Sequence, residues 1–189
     1  MDKAEIIRAL NTAYFSPTPH EQQVLRLLPR LLVGTRVFAD IGASLGQFTK
    51  CANECLKGGR LVAVEADPLR FEELARNCRE WSRGNSNHIE SIHAAATEAP
   101  GKVTFQATDC SVSGGLFRHN LDHLDEPSRR QVQWREVIVD GLTLDSLFPD
   151  GPPDFVKMDI EGAELLALRG AAKIVAARLT LWLIELHDF

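Results

Sequence analysis

No stretch of this 189-residue chain approaches the roughly 20 consecutive apolar residues needed to span a bilayer. Its longest largely apolar run, Leu179 to Leu186, has the length of one buried strand. Basic charge is not in excess either: 21 Lys and Arg stand against 26 Asp and Glu, a formal net charge of -5. Such a chain has no general attraction to phosphate backbones or anionic membranes, which turns the search away from nucleic acid. The start, Met1-Asp2-Lys3-Ala4-Glu5, lacks the long apolar run of a secretory signal, so a cytoplasmic location is expected. Cysteine is sparse, with Cys51, Cys55, Cys78 and Cys110. Cys51 and Cys55 stand four residues apart on a predicted helix, which is not a zinc-site pattern, and reduced, mostly buried thiols are expected. There is no internal repeat, low-complexity tract or obvious linker.

What is present is a regular alternation of short apolar runs and helical patterns. Residues 5–33 read as helical, with Ile6, Ile7 and Leu10 in one piece and Val24 to Leu32 in another, divided by Pro17 and Pro19. Strands are predicted at Arg36 to Ile41, Leu61 to Glu65, His88 to Ala95, Asp154 to Asp159 and Leu179 to Leu186. Lys102 to Ala107 and Val137 to Val139 add two more around a polar segment. Helices are predicted at Leu45 to Leu56, Pro68 to Trp81 and Glu161 to about Ala177. Strands apolar on both faces, separated by helices, predict a mostly parallel sheet covered on both sides. The expected organisation is one α/β domain over residues 1–189, with a helical N-terminal cap (1–35) and a Rossmann-like core (36–189).

The first strand runs into Asp40-Ile41-Gly42-Ala43-Ser44-Leu45-Gly46 and then a helix. A glycine turn between strand and helix brings backbone N–H groups close to a ligand, and a side chain at Gly42 or Gly46 would obstruct that approach. One βα unit later Glu65 ends the second strand, where a carboxylate can accept both hydroxyl protons of a ribose. Together these form a nucleoside-binding constellation. The dinucleotide fingerprint Gly-x-Gly-x-x-Gly would need glycine at Ser44 and Gln47, so a pyrophosphate would meet a side chain at its closest approach. No Gly-Lys-Ser/Thr follows the glycines, which excludes a Walker loop. A methyl donor has no phosphate and carries a sulfonium cation, so it tolerates a wider turn and benefits from a carboxylate such as Asp40. The same residues match Gly-x-Ser-x-Gly, the nucleophile elbow of serine hydrolases, with Ser44 as nucleophile and Asp145 or Asp159 and His187 in chain order. That remote alternative lacks the upstream strands and oxyanion loop that an elbow requires.

A second cluster, Lys157-Met158-Asp159-Ile160-Glu161-Gly162-Ala163-Glu164, follows the strand from Asp154. It delivers Asp159 to the carboxyl edge of the sheet, where ligands of open α/β folds bind. Glu161 and Glu164 near the next helix start can simply complement the helix dipole. A carboxylate ending an apolar strand, however, needs a partner. Glu185-Leu186-His187 brings a further acid and an imidazole to the same edge.

Over roughly Val37 to His187 the sequence resembles the FkbM-type methyltransferases. The likeness rests on the glycine loop, Glu65-Ala66-Asp67-Pro68, Leu74 to Asn77, Thr143-Leu144-Asp145, the Lys157 to Glu164 block, Gly170-Ala171 and Glu185-Leu186-His187. It implies a class I methyltransferase fold and an S-adenosylmethionine site formed by Asp40, Gly42, Ala43 and Gly46, with Glu65 on the ribose and Asp67 beside it. Ala94 and Ala95 would flank the adenine. It further implies O-methylation of a hydroxyl on a sugar or other small metabolite. Transfer is an in-line displacement that depends on alignment, and a general base helps a weak hydroxyl nucleophile. Asp159 and His187 are the candidate catalytic residues. Both could instead orient substrate or hold a divalent ion with Glu161, an ion that the spacing permits but does not require.

The fold usually adds two strands after the last motif, and the sequence given ends at Phe189 before them. The expected fold therefore lacks the last two strands and leaves the fifth with an edge that a second copy or the N-terminal helices would cover. The rival from another class is a non-catalytic methyltransferase-like binding module, distinguished by absence of turnover. Residues 111–135, including Ser111, Ser113, Gly114, Gly115, His119, His123, Arg129, Arg130 and Trp134, form either a loop closing over the acceptor or a solvated insertion. His20, His88 and His93 are given no role, and Trp81 and Trp182 are expected in the core.

Overall fold

The computed structural model describes residues 19–108, 114–117 and 133–187. Ile6, Ile7, Leu10, Pro17, Cys110, Ser111, Ser113, His119, His123, Arg129 and Arg130 lie outside them. In chain order the elements are α1 (Pro19–Leu31), β1 (Val37–Ile41), α2 (Gln47–Cys55), β2 (Arg60–Glu65), α3 (Pro68–Trp81), β3 (His88–His93), β4 (Ala95–Ala96), β5 (Gly101–Thr108), β6 (Trp134–Leu142), α4 (Leu144–Leu147), β7 (Phe155–Met158), α5 (Glu164–Arg169), α6 (Ala172–Ala177) and β8 (Leu181–Ile184).

Alternating residues of the strands bury into two different cores, as a parallel sheet sandwiched by helices requires. Ala39, Ile41, Val62, Val64, Val156 and Met158 pack with Leu144, Phe148, Ala167 and Ile174 on one face. Phe38, Leu61 and Phe155 pack with Leu28, Leu32, Phe48 and Ala52 on the other. Ala63 of that second face meets Leu74 and Cys78 of α3. Trp182 and Trp81 are partly buried against these clusters, the core placement expected for both.

Five parallel strands run in the order β3-β2-β1-β7-β8. The chain winds outward from β1 through β2 to β3, then returns to the other side of β1 as β7. The strand direction of travel therefore reverses between β1 and β7, and the crevice above that reversal is where open α/β sheets hold ligands.

The sheet order matches the expected Rossmann-like architecture, but three local boundaries differ from expectation. The predicted strand from His88 to Ala95 ends at His93, and Ala95–Ala96 pair instead with β6 in a second sheet of order β4-β6-β5. The predicted helix from Glu161 to Ala177 is two short helices. Glu161 and Gly162 both have positive φ, which no α-helix admits, so α5 begins only at Glu164. At the other end, Gly170 lies so close to Thr97 that a Cβ would stand 2.1 Å from its carbonyl oxygen, and α5 stops there. Helix α1 also carries Pro29 within it.

Helix α1 packs on the face of the sheet beside α2 through Leu28 and Leu32, in a cluster that Leu183 of β8 joins. Among the described residues no strand pairs with the outer edge of β8. No helix among them is long and apolar enough to cross a membrane.

Candidate functional site

An open cleft lies at the carboxyl ends of β1, β2 and β7, with the second sheet along one side. Its floor is set by a close approach. Gly42, at φ +76, sits where a Cβ would stand 1.8 Å from the carbonyl oxygen of Asp159. The amide of Asp159 donates to Ile41 O at 3.0 Å, so the end of β1 and the end of β7 are held together at the reversal point. Only glycine fits there without moving backbone.

Glu65 borders the cleft from the end of β2. Its Oε2 accepts the Ser44 N–H at 2.7 Å and its Oε1 accepts the Asp67 N–H at 2.8 Å. One carboxylate thus ties the glycine turn to the turn after β2, leaving each oxygen a further lone pair. Burial pushes the Glu65 carboxyl up from its ordinary range, against the pull of Arg70 and the two amide donors. Ala94, Ala95 and Ala96 line the cleft beside it, and their short side chains leave width for a flat ring. Phe105, Gly114 and Leu116 close the side formed by the second sheet. Gly114 and Leu116, from the segment read as either an acceptor loop or a solvated insertion, thus reach the cleft.

These features fit S-adenosylmethionine. A buried acceptor carboxylate, three short side chains and a glycine that permits close approach of the backbone border one cleft, a set that suits a nucleoside-bearing ligand. The residues expected around the donor divide into two groups. Gly42, Glu65, Ala94 and Ala95 line the cleft, and Ser44 and Arg70, neither assigned to the donor from sequence, join them. Asp40, Ala43, Gly46 and Asp67 stand behind it. Ala43 packs in the core with Ala63 and Leu74. Gly46 is the left-handed residue that opens α2, its Cα crowded by Leu74 and Trp81. Asp67 is a helix cap: Oδ1 accepts Leu69 N–H at 2.9 Å and Arg70 N–H at 3.2 Å, while Oδ2 takes Arg70 Nη1 at 2.8 Å.

Asp40 is fully buried under the cleft and faces Lys157 across the β1–β7 register. Its Oδ2 accepts both the N–H (2.9 Å) and the hydroxyl (2.6 Å) of Thr49. Lys157 Nζ lies 3.6 Å from Asp40 Oδ1, 3.6 Å from Asp159 Oδ2, and donates to Gly42 O at 3.1 Å. The ammonium also sits 4.8 Å above the Phe48 ring. Burial pushes the Asp40 carboxyl up, with Lys157 and Thr49 opposing it. Burial also works against the charge on Lys157, but Asp40, Asp159, Glu65 and Glu185 outweigh it and hold the ammonium charged. A lysine inside the strand Phe155-Val156-Lys157-Met158 is a cation that must find partners, and that signal was available in the sequence.

Asp159 and His187, the predicted catalytic pair, do come together. His187 Nε2 lies 3.9 Å from Asp159 Oδ1 and 3.3 Å from Glu161 Oε2. Its Nδ1 meets Glu164 Oε1 at 3.2 Å, and that buried oxygen also accepts the N–H of Gly162 at 3.0 Å and of Ile160 at 3.3 Å. Glu164, assigned to the helix dipole as readily as to function by its position alone, is the brace that orients the imidazole. Partial burial disfavours the imidazolium, but Glu161, Glu164 and Asp159 outweigh it and raise the His187 pKa. Asp159 and Glu161 line the cleft.

This arrangement leaves no serine triad. Ser44 offers its N–H to Glu65, His187 turns both ring nitrogens toward carboxylates, and Asp145 caps α6 by accepting from Lys173 N (3.0 Å) and Ile174 N (3.1 Å). His93 stacks on Phe71 and contacts Ala66 O, a packing role.

The parallel sheet, its reversal at β1 and β7, and the glycine turn facing an acid at the end of β2 define a Rossmann-like fold of the class I methyltransferase kind. The sequence profile of the methyltransferase FkbM domain matches residues 40–189, and the chain belongs to that family. It is 22% identical over 167 residues to the hexuronic acid methyltransferase AglP of Haloferax volcanii, covering 88% of this chain and 62% of that protein. This chain thus spans about three-fifths of the curated relative it matches. The crystal structure of methyltransferase FkbM from Methylobacillus flagellatus KT superposes with a TM-score of 0.56 at 24% identity, over 79% of this chain and 32% of that one, and shares its fold.

Proposed function

We propose that this chain is an S-adenosylmethionine-dependent methyltransferase that O-methylates a hydroxyl of a sugar or other small metabolite. The observation that carries the reading is Glu65, a buried carboxylate fixed by two backbone amides at the mouth of an open cleft, beside a glycine that close backbone approach requires. Bound there, the sulfonium donor supplies an activated methyl group, and its transfer to an acceptor oxygen leaves a neutral thioether and one proton to be removed.

The chain's own residues supply alignment and charge. Glu65 accepts hydrogen bonds from the ribose hydroxyls and thereby fixes the donor's long axis. Gly42 keeps the turn open where the sulfonium end lies. Lys157 holds Asp40 and Asp159 in place from below, so the acceptor side of the cleft does not collapse onto the sheet. Asp159, held by its neighbour His187, orients the acceptor hydroxyl in line with the methyl group, and its carboxylate takes up the proton. A hexuronic acid acts as acceptor class in the relative's name, which favours sugar acids as the first compounds to screen.

Calorimetric titration of the purified chain with S-adenosylmethionine and S-adenosylhomocysteine tests the donor site. Micromolar binding is expected, weakened about tenfold in Glu65→Gln and abolished in Gly42→Arg. Methyl transfer to hexuronic acids and related sugars, followed with a labelled methyl group, then separates an enzyme from a binding module. Donor binding without turnover on any hydroxylated acceptor would leave the non-catalytic module as the reading. No donor binding by folded chain would remove both.

A further inference from the structure

We propose that Asp159, Glu161 and His187 form a divalent-metal site on the acceptor side of the cleft. Each of the three offers one ligand atom, and among the described residues these are brought within 4.8 Å of one another. They come from two separate parts of the chain, the turn after β7 and the segment after β8, so neighbourhood in sequence does not account for their convergence.

The imidazole is presented as metal-ligating histidines are. Nε2 faces the two carboxylates, at 3.3 Å from Glu161 Oε2 and 3.9 Å from Asp159 Oδ1. Nδ1 is taken by Glu164 Oε1 at 3.2 Å. A carboxylate on the far nitrogen of a histidine fixes the tautomer and ring direction, and such outer partners accompany most metal-bound histidines. Glu164 is itself 4% exposed and locked by the Gly162 and Ile160 amides, so the brace is rigid.

The donor set, two carboxylate oxygens and one imidazole nitrogen, suits a divalent ion of the manganese type, with zinc and magnesium as competitors. Three protein ligands leave coordination positions open, and Asp159 and Glu161 border the cleft, so an acceptor hydroxyl can occupy one of them. Coordination would lower the pKa of that hydroxyl and fix its oxygen, the two things a weak nucleophile lacks. This role for the ion rests on the methyl-transfer reading; the site itself does not.

Titration of the full chain with Mn2+, followed by electron paramagnetic resonance, tests the site. One ion per chain is expected, with a nitrogen coupling in the spin-echo spectrum that disappears in His187→Ala. Glu161→Gln and His187→Ala should each weaken binding at least about tenfold, and Glu164→Gln by about 10- to 100-fold through loss of the brace. Thermal unfolding of each variant confirms that the fold is retained. Mn2+ binding with no donor binding would overturn the methyl-transfer reading and leave the metal site standing. Folded parent chain that binds no Mn2+, or binding unchanged in both Glu161→Gln and His187→Ala, overturns the metal site alone.

Discussion

Thr49 donates both its N–H and its hydroxyl to one oxygen of Asp40, a carboxylate that solvent does not reach. Hydrogen bonds to a buried charge contribute more than ordinary ones, and removing the hydroxyl leaves that charge short of a donor. Thr49→Val, nearly the same shape, should therefore lower unfolding free energy by about 2 kcal/mol in urea with an unchanged slope. Thr49→Ser, which keeps the hydroxyl, should cost about 1 kcal/mol or less. Cys78 gives a chemical check of the same interior. Burial, and after it the charge of Asp40, pushes its thiol up to about 12. At pH 8 only about one in ten thousand such thiols is ionised, and the thiolate is the reactive form. Mass spectrometry after iodoacetamide treatment at pH 8 should find Cys78 unmodified in the folded chain and fully alkylated in urea. At this scale, the convergence of Gly42 and Glu65 on one cleft was legible because position at a strand end is what sequence pattern encodes. That Asp67 caps α3 was not, because a capping aspartate and an aspartate beside a cleft are the same residue type at the same turn.

Short helices depend on their ends. Helix α6 spans six residues, and its preceding residue, Ala171, has no side chain to offer the free amides. Asp145 supplies the missing cap from another element, accepting Lys173 N–H and Ile174 N–H with its two oxygens. The Thr143-Leu144-Asp145 motif is thereby explained as structure: Thr143 caps its own helix through Ser146 N–H, Leu144 is fully buried, and Asp145 holds α6. Asp145→Ala should destabilise the chain by about 1–2 kcal/mol, read from chemical denaturation. Donor binding should be unchanged in the same variant, because Asp145 does not line the cleft. This tertiary cap, and the contact between Gly170 and Thr97 that divides the expected long helix, join residues far apart in sequence. Local periodicity carries no trace of such contacts, which is why the alternation of strands and helices was readable while the boundaries of α5 and α6 were not.

For the molecule as a whole, the His187 end of the site hangs on an edge strand. Among the described residues β8 bonds only to β7, and His187 lies three residues beyond β8, so whatever steadies β8 also steadies the imidazole. Leu181 N–H donates to Asp154 O and Glu185 N–H to Met158 O, both at 2.9 Å. In a strand of period two, the amides of Trp182 and Ile184 then point away from β7, toward the outer edge. An edge of this kind, flanked by exposed Leu179 and Leu181, is one that proteins cover or blunt. Hydrogen exchange reads the outcome by residue. If the edge is open in solution, the Trp182 and Ile184 amides should exchange at least about a hundredfold faster than those of Leu181 and Glu185 in the same strand. Equal protection across all four would show that another strand, from a second copy or a longer chain, pairs along β8. Dilution distinguishes the two, because protection by a second copy fades as the protein concentration falls and protection within one chain does not.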